Sequence, residues 1–126
     1  TSIGAISAVP SKSIGVVIDG GGSAITTGSK GYREIDTNYT ITGWTLLSDV
    51  AGSIVIDVKN STYATWPTTI SISGSEKPTL TGVAKNQDLN LSSWTANVST
   101  GNILELNVDS ASTVTKAWLF LTLTPR

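Results

Sequence analysis

Punctuation constrains this 126-residue chain more than any other feature. Short runs of β-branched and aliphatic residues are each cut off by Gly, Pro, Asn or Ser clusters, and the 3.6-residue repeat of an amphipathic helix is nearly absent. A first strand is predicted over residues 14–19, closed by Gly20-Gly21-Gly22, and a short second one over 32–35. Residues 39–47 and 53–59 read as a hairpin around a turn at 48–52. In its second arm Ile54, Ile56 and Val58 point one way while Val55, Asp57 and Lys59 point the other, which predicts one buried and one wet face.

Residues 60–87 read as a long connection rich in Pro, Ser, Thr and Gly. Residues 69–73 form a possible edge strand there, between Pro67 and Pro78. Further strands are expected over 89–98, 103–109 and 113–124. In the middle run Leu104, Leu106 and Val108 alternate with Glu105, Asn107 and Asp109. The last run, with Trp118, Leu119, Phe120, Leu121 and Leu123, is apolar on both faces, so a central strand covered by the sandwich or by a neighbouring subunit is expected. The sum is a single all-β domain over residues 1–126, an antiparallel, jelly-roll-like β-sandwich of seven or eight strands.

An internal echo occurs at an offset of fifty. Ile41, Trp44-Thr45, Ile54, Ile56 and Val58 match Leu91, Trp94-Thr95, Leu104, Leu106 and Val108. Two hairpins of similar length account for it, either by coincidence or as equivalent hairpins, one in each sheet.

Charged residues make up 13% of the chain and the net charge is −1, with Lys and Arg scattered. Without a basic patch the sequence does not read as a nucleic-acid binder. Solubility rests on Ser, Thr, Asn and Gly, and so weakly charged a surface does little to repel copies of itself. No run approaches the roughly 20 apolar residues that span a bilayer, and residues 1–10 show no signal-peptide pattern. Sequons at Asn38, Asn60, Asn90 and Asn97 are close to chance in a chain this rich in Ser and Thr.

Equipment for catalysis is scarce. There is no His and no Cys, hence neither the usual base nor a thiol nucleophile. The Asp19-Gly20-Gly21-Gly22 turn lacks the following helix that phosphate loops use. Asp19, Asp36, Asp49, Asp57, Asp88 and Asp109, with Glu34, Glu76 and Glu105, contain no pair set apart by spacing. Asp49 and Asp57 read as turn and solvent-face residues. The chain is therefore expected to be no enzyme, with no cofactor and no metal site. Trp44 and Trp118 sit in apolar runs and read as core. A ligand site is expected where aromatic faces meet amides and a carboxylate: Tyr63, Trp66, Asn86, Gln87 and Asp88, near Lys85. The alternative for Trp66 is a plug packed under the long loop.

Several segments together carry a resemblance. They are Ile-Asp-Gly-Gly-Gly at 18–22, Thr-Gly-Ser-Lys-Gly at 27–31, Ile41 to Trp44, and the stretch 49–57 from Asp through Gly-Ser-Ile to Asp. Downstream come Pro-Thr-Thr-Ile-Ser-Ile at 67–72, Lys-Pro-Thr-Leu at 77–80, Lys-Asn-Gln-Asp at 85–88, Trp94-Thr95 and Asn-Val-Asp-Ser at 107–110. The chain resembles a C-terminal β-domain family of tailed-phage structural proteins, of tail-fibre or receptor-binding type. It departs from that pattern at Val58, where the family often has Trp, and at Trp66-Pro67, where it often has two prolines.

The resemblance implies a virion protein on the particle surface or tail, with residues 1–126 as the C-terminal module of a longer chain. It implies an adhesion tip recognising host-surface glycan, which assembles as a homotrimer and contacts other virion proteins. Trp118 and Phe120 are the expected oligomer interface. The other readings are a structural virion protein (capsid decoration or fibre assembly) without a glycan site, and a bacterial carbohydrate-binding module.

Overall fold

A computed structural model describes residues 11–126; residues 1–10, the stretch without a signal-peptide pattern, lie outside the described residues. The eight strands are β1 Lys12–Asp19, β2 Gly28–Glu34, β3 Tyr39–Ser61, β4 Ile70–Ser71, β5 Thr79–Asp88, β6 Asn97–Val98, β7 Ile103–Ser112 and β8 Lys116–Pro125. All pairings are antiparallel, and the strand order is β1-β8-β3-β7-β2, with β4, β5 and β6 also hydrogen-bonded to β3.

The expected all-β sandwich is the observed one, but it is built around one strand of 23 residues. The first part of β3 lies between β8 and the end of β5, with Thr45 opposite Phe120 on one side and Gln87 on the other. The last part lies between β7 and the start of β5, with Val58 opposite Leu106 and Ile54 opposite Leu80. The sheet thus curls into two layers joined through β3 and β5. At the far side β2 and β1 approach each other, where the Arg33 guanidinium donates to the Gly15 carbonyl at 2.6 Å.

The hairpin predicted over residues 39–59 is therefore corrected to a single bent strand. Ile41, Trp44 and Leu46 belong to one layer, Ile54, Ile56 and Val58 to the other, and all six are buried in the same core. A hairpin would put both arms in one layer; a strand that crosses between layers turns its corner through a bend or bulge instead. The corner is Ser48–Gly52: from Leu47 to Gly52 on β3, the partner strand advances only from Lys85 to Val83. Asp49 pins the bend, accepting the Thr115 hydroxyl and the Lys116 backbone N–H at the start of β8.

Two more expectations need correction. The connection over 60–87 contains β5, which hides because only Leu80 among its residues is buried. The strand over 89–98 shrinks to Asn97–Val98; Leu91 and Trp94 reach the core from a loop. The fifty-residue echo is not a pair of equivalent hairpins either. The two alternating arms are hydrogen-bonded neighbours, Ile56 opposite Val108 and Val58 opposite Leu106. Their preceding indoles, Trp44 and Trp94, both donate to the Glu76 carbonyl at 3.0 Å.

Asp57, read as a solvent-face residue, is buried at 6% exposure. β4 and the chain after it cover that face, and the Ser71 and Ser73 hydroxyls each donate to Asp57 Oδ1 at 2.6 Å. Lys77 stands 3.9 Å from the second oxygen and pairs with Asp109 at 2.8 Å.

The corner makes a sharp prediction. A Cβ on Gly52 would lie 2.7 Å from Val114 Cγ2 and 2.9 Å from the Ser112 carbonyl. Backbone on one side leaves little room to yield, so Gly52→Ala should lower stability by roughly 1–3 kcal/mol. Urea melts followed by tryptophan fluorescence would measure it, and an unchanged midpoint would contradict the tight corner.

Candidate functional site

The residues expected to form one ligand site fall into two groups. Tyr63 and Trp66 lie in the turn that follows β3, where Trp66 N–H bonds the Thr62 carbonyl. Tyr63 is 85% exposed. Trp66 is neither a buried plug nor a free platform: its ring meets Tyr32 of β2 edge-on, centroids 4.9 Å apart. Beside this turn lies a depression with a mostly apolar surface, bordered by Thr62, Thr65, Thr68, Ile70, Ile72 and Thr95. The turn's hydroxyls are largely bonded to one another, as between Thr62 and Thr65 at 2.9 Å.

Asn86, Gln87 and Asp88 sit at the end of β5, paired with Leu46, Thr45 and Trp44. Their polar groups serve the local backbone and β3. Asn86 Nδ2 donates to the Thr79 carbonyl, Gln87 Nε2 to the Thr45 hydroxyl, and Asp88 Oδ1 accepts the Asn90 N–H. Among the described residues no hydrogen bond or aromatic contact joins them to Tyr63 or Trp66, and the depression beside Asn86 and Gln87 is separate from the one beside the Thr62–Thr65 turn.

A different surface stands out. Along β8, Ala117, Leu119, Leu121 and Leu123 are buried while Trp118 and Phe120 are half-buried and point to the other side of the sheet. Being central in the sheet did not cover both faces, so Trp118 is corrected from core to the outer face. Strand register aligns that face in rows. One row is Val17, Trp118, Leu47 and Lys85; the next is Gly15, Phe120, Thr45 and Gln87. Glycine at position 15 lets the Phe120 ring lie close over β1, 3.0 Å from where a Cβ would sit. Leu47, Ala51, Gly82, Val83, Ala84, Trp118 and Phe120 line an open, largely apolar concavity. Val17 and Val83 are about half exposed beside it, at 54% and 44%.

Charges stand at the edge of this face. Lys116 lies 3.5 Å from Asp19, and Asp49 closes the same end. The Thr115 hydroxyl, then the Lys116 N–H, hold the Asp49 carboxyl below the usual carboxylate range. The sequence singles out Trp118 and Phe120 but not Val17, Leu47 and Val83, which share the outer face with them. These come from three separate strands, and only the register of β1, β3 and β5 brings them together.

Hydrogen bonds from Ser93 and Ser92 lower the pKa of Glu76 to about 2. Its carboxylate accepts the Ser93 backbone N–H, the Ser93 hydroxyl and the Ser92 N–H, while its carbonyl takes both indoles. It thus fastens the 89–96 loop to the core, a structural task. Among the described residues no group of three acidic side chains lies close enough to hold a metal ion.

No family model matches the chain, and no curated protein matches it. A solved structure described as "Structure of infectious bursal disease virus Gx strain" aligns with 93% of this chain at 15% identity and a TM-score of 0.38. The alignment covers 31% of that chain, so this chain spans less than a third of its length.

The Glu76 knot predicts a pH dependence. Its pKa is depressed in the folded state, from 4.5 to about 2, so its contribution to stability is present above about pH 4.5 and is lost as pH falls through about 2. Glu76→Gln should therefore melt below the wild type at pH 7, with the difference shrinking between about pH 4.5 and 2. Paired thermal melts across that range check it; a difference that stays constant with pH would assign the loss to something other than the charge.

Proposed function

We propose that this chain is a structural module of a phage particle, whose work is contact between protein subunits rather than recognition of host glycan or catalysis. The observation that carries this reading is the open apolar face of β1, β8, β3 and β5, with half-buried Trp118 and Phe120 at its centre and exposed Val17 and Val83 beside them. Exposed apolar patches on this scale mark sites of protein contact.

The phage resemblance supports the particle setting, and the positions of its motifs support a framework role. The Gly-rich turn after Asp19 holds Gly21 and Gly22 at φ of 68° and 89°. The stretch from Asp49 to Asp57 makes the bend of β3, Lys77 pairs with Asp109, and Trp94 bonds the Glu76 carbonyl. Motif residues that build the scaffold say little about a ligand. The glycan reading would gain from aromatic faces and amides converging on one groove; here Tyr63 and Trp66 lie apart from Asn86, Gln87 and Asp88.

The test is location. Purified particles should contain peptides of this chain by mass spectrometry, and gold-labelled antibody should decorate them. A chain absent from particles would overturn the reading. Tyr63→Ala and Trp66→Ala should leave adsorption of the particle to host cells unchanged, and a tenfold loss of adsorption by a folded variant would restore the glycan tip.

A further inference from the structure

Resting on that structural reading, we propose that the outer face pairs with the same face of a second copy of this chain, about a two-fold axis that passes beside Trp118. The argument is one of charge placement around an apolar centre. At one end of the face stand Asp19, Lys116 and Asp49, with negative charge in excess. On the opposite strand, one row further along, stands Lys85, which makes no ion pair among the described residues.

Three strand spacings separate β1 from β5, so Asp19 and Lys85 are ~14 Å apart across the sheet and ~7 Å apart along it. A two-fold axis lying in the plane of contact exchanges these two positions if it bisects the line joining them at a right angle. That line runs next to Trp118 and on toward Phe120. Each copy's Lys85 then meets the other's Asp19, so the contact is made twice, while the aromatic centre closes on itself. A head-to-tail arrangement makes such a contact once per interface and leaves a second face open. Asp19 has the capacity: one oxygen accepts the Gly21 N–H, and the other lies 3.5 Å from Lys116 on a side chain that is 52% exposed.

Residues 1–10 of the same chain are the competing occupant, but they carry no Asp, Glu, Lys or Arg to answer these charges. The face is four strands wide, roughly 15 by 25 Å. That is about half the ~800 Å² per partner of a standard interface, so pairing should be weak in solution and strengthened where copies are held together.

Sedimentation equilibrium of the full chain should show mostly monomer near ~1 µM and dimer near ~100 µM. Val17→Lys, at an exposed position on the β1 side of the face beside Trp118, should shift association at least tenfold toward monomer without changing the melt. Lys85→Asp and Asp19→Lys should each do the same, and the double variant should recover to within about threefold of wild type. A monomer throughout, a trimer, indifferent single variants or a double variant without recovery would each overturn the pairing. So would a monomer that dimerises once residues 1–10 are deleted, since those residues would then own the face. A chain found on particles but monomeric sinks the pairing alone; a dimer with charge-swap recovery that is absent from particles sinks the structural reading alone.

Discussion

The passage of β3 from one layer to the other is the constraint on which the rest of the structure depends. Its first half supplies Ile41, Trp44 and Leu46 to the core from one side, and its second half supplies Ile54, Ile56 and Val58 from the other. Because both halves are interior, each recruits its own pair of neighbours: β8 with β5, then β7 with β5. β5 must follow the same corner, which is why its register slips where β3 bends. The bend therefore fixes the sandwich and also decides which side chains are left outside it.

Much of this was legible where one face of a strand is buried and the other is wet. The alternation of Leu104, Leu106 and Val108, and of Ile54, Ile56 and Val58, placed two neighbouring strands correctly. Legibility failed where tertiary partners overrode local signals. Ser48-Asp-Val-Ala-Gly52 has the composition of a reversing turn, yet Asp49 spends its carboxylate on Thr115 and Lys116 rather than on a local turn. β5 is an exposed edge, and an edge with a single buried side chain has no period to read. In the segment around Trp94 the apolar residues suggest a strand, but Trp94 and Leu91 are turned into the core from a loop whose backbone is held by Glu76. Tyr63 and Trp66 stand near Asn86, Gln87 and Asp88 in sequence, but β5 carries the latter to the first half of β3 while Tyr63 and Trp66 follow its last residue.

Two polar arrangements, one at half-buried Glu76 and one at buried Asp57, fasten loops to the sheet in a chain without cysteine. The Glu76 carbonyl accepts two indole N–H groups, which would be costly to bury unpaired, and its carboxylate satisfies two successive backbone N–H groups. Asp57, deep under β4, accepts two serine hydroxyls and faces Lys77. Both tie the irregular chain between β3 and β7 to the regular sheet, so the loops that look most like binding elements in the sequence are occupied in holding the fold.

The edges and faces of the sheet are treated differently, and the difference bears on how this molecule meets others. An open edge invites another strand, and it is commonly blunted by charge, irregularity or cover. Here β1 and β2 approach each other and are tied by Arg33, while β5 carries Lys85, a glycine with φ of 64° at Gly82, and a broken register. The outer face of β1, β8, β3 and β5 has no such protection: valine, leucine, tryptophan and phenylalanine lie in register with hydroxyl and amide neighbours. A chain with 13% charged residues had charge to spare for the edge and for the rim of this face, but placed only Lys85 within its apolar row. Growth by strand addition is thus discouraged while face-to-face contact is left open, and face contact between rigid sheets preserves the geometry of each subunit. On the proposed reading, that combination lets subunits join in one arrangement without running on into a fibre.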